Sequence, residues 1–153
     1  MTPRVLFICH GNICRSTMAE FVFTHLAREA GFSVVVESKA TSTEELGNPV
    51  HHGTRRILAE KGIPMWEHYA TQMTRSDYAH FDFLIGMDGR NLQNMHRITG
   101  GDPDGKFFRL LDFTDRKGDI ADPWYTGNFE PTYRDVTDGC KGFLNYLIKE
   151  WSE

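Results

Sequence analysis

Near the start of the chain, Cys9-His10-Gly11-Asn12-Ile13-Cys14-Arg15-Ser16 puts a thiol six residues ahead of an arginine. The guanidinium offers a planar fork of donors that matches two oxygens of a phosphate, where a lysine would supply only a point charge. Gly11 and Asn12 are residue types that readily take the left-handed backbone conformation, which lets successive N–H groups curl inward as an anion-binding nest. If the run also opens a helix, the free N–H groups and dipole of that helix add to the same field, which favours the thiolate of a cysteine placed there. A thiolate is the nucleophile that attack on phosphorus requires. Such attack expels an alkoxide or phenoxide, so a carboxylic acid must face the loop from elsewhere. Asp122-Pro123-Trp124-Tyr125 is the best candidate: proline stiffens the approach of the aspartate, and two aromatics could wall a slot for a phenyl ring. Each feature also has a plainer alternative, Cys9 as a small residue buried at a strand end and Asp-Pro as a simple turn.

The elements around these residues follow from periodicity. Val5-Leu6-Phe7-Ile8 is apolar without alternation, as in a strand buried on both faces of a parallel sheet. Met18, Val22 and Leu26, with Ala19 and Phe23, give helical spacing that Gly31 ends. Further strands are expected at Ser33–Ser38, Asp82–Met87 and Phe107–Leu111, and helices at Val50–Lys61 and Asp88–Ile98, with a short helical segment from Thr74. The stretch from Asp112 to Pro131, rich in Asp, Gly and Pro, reads as a long irregular loop. Val136, Cys140, Phe143, Leu144, Leu147 and Trp151 mark an amphipathic C-terminal helix. Alternating strands and helices imply an α/β fold with a parallel sheet, whose ligands bind where loops leave the carboxyl ends of the strands.

The 153 residues suffice for one domain, taken as 1–153. A net charge of -4 lacks the basic excess of nucleic-acid binders or of proteins that bind anionic membranes. The apolar run Val5–Cys9 is too short for a signal peptide or a membrane span, so a cytoplasmic protein is expected. Three cysteines, Cys9, Cys14 and Cys140, are too few and too odd in number for a disulfide-stapled domain, which points to free thiols. His51-His52 are neighbours at an expected helix start with no cysteine near them, so no metal site is expected.

Taken together, Val5 to Ser16 and Asp122-Pro123-Trp124-Tyr125 closely resemble the low-molecular-weight protein tyrosine phosphatase family. The likeness extends through Ser38-Lys39-Ala40-Thr41-Ser42, Gly47-Asn48-Pro49, Gly62-Ile63-Pro64, Phe81-Asp82-Phe83 and Met87-Asp88. It implies a single domain with a four-stranded parallel sheet flanked by helices on both faces, the phosphate loop lying between the first strand and the first helix. It also implies metal-free and cofactor-free hydrolysis of phosphotyrosine in proteins or peptides through a cysteinyl-phosphate, with inorganic phosphate as product and inhibitor and a monomer or weak dimer as the working form. By resemblance Cys9 is the nucleophile, Arg15 the phosphate clamp, and Asp122 the acid and later the base. Asn12 and Ser38 match a pair that holds the loop in its strained conformation. Ser16 matches the hydroxyl on the thiolate, and His68 and Asp88 match a supporting pair near the loop. His10, Gly11, Ile13, Cys14, Glu44, Trp124 and Tyr125 complete the expected binding surface. Cys14 matches a second loop cysteine able to form a reversible disulfide with the nucleophile.

The chain departs from the family pattern at three places. Thr17 stands where proline is usual, at what is expected to be the first helical position. His10 replaces a larger apolar or amide side chain and brings a titrating group to the rim. Glu44 replaces an aromatic, which removes a wall and sets a negative charge near a dianionic substrate. Two rival readings stay open: an arsenate reductase of the same fold, which would need a cysteine relay beyond the lone Cys140, and a silent phosphate-binding module.

Overall fold

The computed structural model describes residues 1–151. Its four strands are β1 Arg4–Cys9, β2 Val35–Ala40, β3 Phe83–Gly86 and β4 Phe107–Arg109. They form one parallel sheet in the order β2-β1-β3-β4. The helices are α1 Arg15–Glu29, α2 His52–Glu60, α3 Asp77–His80, α4 Gly89–Thr99, α5 Pro123–Thr126 and α6 Phe129–Glu150, with a 3-10 turn at Leu110–Phe113. The chain therefore leaves β1 toward one neighbour and returns on its other side as β3, a reversal of strand order that opens a crevice at the carboxyl end of β1.

Strand alternation sorts the core into two layers. Val5, Phe7, Phe83 and Ile85 face α1 and α6, where Phe23, Phe143 and Leu147 fill the larger cluster. Leu6, Ile8 and Leu84 face the other side, against Met95 of α4 and Phe81. The first half of α1 is buried on all sides, which is why Met18, Ala19, Phe21, Val22 and Phe23 run almost without interruption. Two glycines let α6 press close: a Cβ at Gly139 would fall 2.5 Å from Leu110, and one at Gly142 would fall 2.2 Å from the carbonyl oxygen of Phe113. At the end of the sheet where the strands begin, the Trp151 indole donates to the Met1 carbonyl at 2.7 Å.

The expected elements are present, with shifted boundaries. Strand β2 starts at Val35 and ends at Ala40, two residues later than expected, because the partner register runs from Arg4↔Val35 to Cys9↔Ala40. Strand β4 stops at Arg109 because Asp112 turns back to accept from the Arg109 N–H at 2.9 Å, closing the 3-10 turn. Helix α2 begins at His52, its N-cap being His51. The stretch expected to be irregular as far as Pro131 contains α5 and the opening of α6. Pro131 is the third residue of α6, where its missing N–H removes no intrahelical bond.

Candidate active site

The loop between β1 and α1 turns its carbonyls outward. The Cys9 carbonyl accepts from Thr41 N–H (3.0 Å), that of His10 from Ser42 N–H (3.1 Å), that of Ile13 from His51 N–H (2.9 Å), and that of Cys14 from the Thr17 hydroxyl (2.9 Å). Its N–H groups turn inward: those of Asn12 and Ser16 point at the Cys9 sulfur at 3.3 and 3.4 Å. Among the described residues, the N–H groups of Gly11, Ile13, Cys14 and Arg15 meet no acceptor. Asn12 has φ 59°, the only non-glycine residue with positive φ among those described, and this left-handed step produces the inward curl.

The Asn12 side chain uses all of its hydrogen-bonding capacity. Its amide donates to Ser16 Oγ (2.8 Å) and Ser38 Oγ (3.0 Å), while its Oδ1 accepts from His68 Nε2 (2.9 Å) and Thr71 N–H (3.2 Å). Ser16 Oγ accepts from Asn12 and from the Cys9 thiol 3.0 Å away; once Cys9 is a thiolate, the Ser16 hydroxyl can donate to the sulfur instead. Ser38 donates onward to Glu20 Oε1 at 2.6 Å, and the Trp66 indole donates to Glu20 Oε2 at 3.0 Å. Burial pushes the Glu20 carboxyl above its ordinary pKa, against the two donors, and burial lowers that of His68.

Arg15 is 2% exposed. One of its terminal nitrogens donates to Asp88 Oδ2 at 2.7 Å and the Ile120 carbonyl at 3.0 Å, and the other reaches Asp122 Oδ2 at 3.3 Å. Its Nε has no partner. Burial works against its charge, but Cys9, Asp88 and Asp122 together hold its pKa above the ordinary value. Asp88 is itself fixed as the N-cap of α4, accepting from Asn91 N–H at 2.8 Å. Asp122 caps α5, its Oδ1 accepting from Trp124 N–H at 3.0 Å. Cys14 is as buried as Cys9, but burial, and then the neighbouring Cys9 and Asp122, push its thiol up to about 12. Above the cradle a pocket is walled by His10, Gly11, Ile13, Glu44, Glu45, Trp124 and Tyr125, with Cys9, Cys14 and Asp122 beneath. Among the described residues no three His, Cys, Asp or Glu side chains are grouped to hold a metal ion.

A cysteine at the focus of inward N–H groups, beside a buried arginine, makes a site for an oxyanion ester. The model of the family described as "Low molecular weight phosphotyrosine protein phosphatase" matches residues 4–153. The chain belongs to that family. This phosphatase is 37% identical over 150 residues to the low-molecular-weight protein-tyrosine-phosphatase YfkJ of Bacillus subtilis, covering 95% of this chain and 96% of that one. The YfkJ crystal structure superposes with a TM-score of 0.96 at 36% identity, over 99% of this chain and 98% of the other. PtpA of Staphylococcus saprophyticus is 37% identical over 148 residues, covering 95% of this chain and 94% of PtpA. The tyrosine phosphatase SP-PTP of Streptococcus pyogenes matches with a TM-score of 0.83 at 38% identity, over 99% and 95% of the two chains.

The expected residues of the phosphatase gather at one place, with one correction. His68 and Asp88 each contact the loop, His68 through Asn12 and Asp88 through Arg15. Thr17 is the third residue of α1, not the first, because the helix starts at Arg15. Glu44 forms an ion pair with His10 at 2.8 Å on the rim. Glu20, Trp66, Thr71 and His51 escaped the reading of the sequence. For Glu20 a signal existed, since a carboxylate four residues after Ser16 lies on the same helical face. The Trp66, Thr71 and His51 contacts join segments far apart in sequence.

Proposed function

We propose that this chain hydrolyses phosphotyrosine monoesters in proteins or peptides by two displacements at phosphorus. The Cys9 thiolate attacks phosphorus while the bond to the phenolic oxygen breaks, and the Asp122 carboxyl delivers its proton to that oxygen. The Asp122 carboxylate then takes a proton from water, whose oxygen attacks the cysteinyl-phosphate. The S–P bond breaks, leaving inorganic phosphate and the Cys9 thiolate, which the Ser16 hydroxyl stabilises. Arg15 Nε and the free loop N–H groups bind the equatorial oxygens throughout.

The observation that carries this reading is the buried Arg15 Nε without a partner, beside a loop whose N–H groups converge on Cys9. A buried donor left unpaired costs about 1–3 kcal/mol, which an oxyanion would recover. Trp124 and Tyr125 at the mouth favour an aryl ester. Released phosphate occupies the same cradle and inhibits. The free buried thiols accord with a cytoplasmic setting. Under peroxide, Cys14 captures the oxidised Cys9 as a disulfide that a dithiol reverses.

The test is phosphate release from phosphotyrosine and phosphoserine peptides without added metal. Turnover of the phosphotyrosine peptide alone, abolished in Cys9→Ser, is expected. Asp122→Asn should lower kcat/KM for a phenyl phosphate by about 10²- to 10⁴-fold. No turnover of either peptide by the reduced protein would overturn the reading in favour of the reductase or the silent binder.

A further inference from the structure

We propose that His51 is a positioning residue that holds the Asp122 loop over the phosphate cradle. The inference rests on the acid role proposed for Asp122 and concerns how that acid is kept in place. The loop is pinned firmly on its upstream side. Ile120 N–H donates to the Met87 carbonyl at 2.9 Å, the Ile120 carbonyl accepts from Arg15 at 3.0 Å, and the Ala121 carbonyl accepts from the Thr132 hydroxyl at 3.1 Å. Past Asp122 the chain runs into Trp124 and Tyr125, which are 56% and 80% exposed. Among the described residues the Trp124 ring meets one other ring, that of His51, edge to face with centroids 5.6 Å apart and planes at 80°. The backbone N–H of Trp124 donates to Asp122 Oδ1, which ties the carboxylate to the stretch of main chain that carries the indole.

His51 is built to resist displacement. Its backbone N–H donates to the Ile13 carbonyl in the cradle itself. Its Nδ1 accepts from Gly53 N–H at 3.0 Å, which caps α2 and leaves the ring proton on Nε2. Its ring lies nearly parallel to that of Phe129 at 5.3 Å. Phe129 comes so close because position 53 is glycine: a Cβ there would fall 2.4 Å from the phenyl carbons. Burial, followed by the neighbouring His52, lowers the pKa of His51 and keeps Nδ1 free to accept. One residue thus links the nucleophile loop through its backbone, and the start of α2, the start of α6 and the acid loop through its ring.

The experiment compares kcat/KM for phenyl phosphate, whose leaving group needs a proton, with that for dinitrophenyl phosphate, whose leaving group does not. Because kcat/KM covers only the steps through cleavage of the ester bond, it isolates the acid. His51→Ala should lose roughly 10- to 100-fold on phenyl phosphate, the scale of a misplaced catalytic group, and less than about 3-fold on the dinitrophenyl ester. Its inhibition constant for inorganic phosphate should stay within about 2-fold, since the bond to Ile13 is made by the backbone. His51→Phe, which retains the flat ring, should recover most of the loss. If His51→Ala does not fold, His51→Gln, which can still accept from Gly53 N–H but has no ring to meet Trp124, should give the same split. Equal losses on both esters, or none, would overturn the proposal. Asp122→Asn, measured alongside, separates the two readings: a leaving-group split there without one in His51→Ala defeats only the role of His51, and no split in Asp122→Asn removes the acid assignment and this proposal with it.

Discussion

Asn12 and the two loop cysteines show how much depends on a few atoms at the scale of the residue. A left-handed asparagine costs about 1 kcal/mol or more in backbone strain, and four hydrogen bonds to its side chain hold it there. Cys9 and Cys14 are similarly buried, yet loop N–H groups converge on one sulfur while burial pushes the other thiol up to about 12. Cys140 is fully enclosed, and burial raises its thiol too. We therefore expect iodoacetate at neutral pH to add a single carboxymethyl group, at Cys9, and inorganic phosphate to protect it. Peptide mass spectrometry checks this, and equal labelling of Cys14 would contradict it. At this scale the sequence was legible where chemistry is local. Cys9, Asn12, Arg15 and Ser16 lie within one turn of chain, and Asp122 stands out because its role needs a carboxylate next to aromatics. Trp66 and His51 were not legible, because their meaning comes from contacts with residues dozens of positions away.

At the scale of the element, α6 is held against the 3-10 turn by glycines that would otherwise be poor choices for a helix interior. Gly142→Ala should gain up to about 1 kcal/mol in helix propensity but must displace a backbone carbonyl, a net loss of about 1–3 kcal/mol. The urea midpoint measures it, and an unchanged or raised midpoint would show that α6 can shift without cost. The unbroken apolar run of β1 and the helical apolar spacing of α1 and α6 were readable from the sequence alone. Boundaries set by partners were not, as the displaced β2 shows: its span follows the register with β1, and its own composition would start it two residues early. The Asp122 segment hid α5 because four residues are too few to show a period.

The whole molecule brings Cys9, Ser38, His68, Asp88 and Asp122 together only when β1 has both neighbours, so the cradle exists in the folded state alone. A ligand confined to that state must stabilise it: inorganic phosphate at about one hundred times its dissociation constant should add about 2.7 kcal/mol. For a chain of this size that is a rise in Tm of roughly 5–10 °C, which Arg15→Ala should abolish; an unaltered Tm in the native protein would argue that no anion is held. The α/β class and the strand-loop-helix setting of the site were evident from the alternation of buried strands and helices. The strand order β2-β1-β3-β4 was not legible, since periodicity does not say which strand neighbours which. The bond from Trp151 to Met1 brings the two ends of the described chain side by side where the strands begin, and Cys9 lies at the opposite end of β1. A short linker could close the backbone into a ring, and new ends opened in the exposed stretch 103–105 would leave every sheet pairing and every bond of the cradle in place. Such a circular permutant would retain the site although its elements follow one another in a different order.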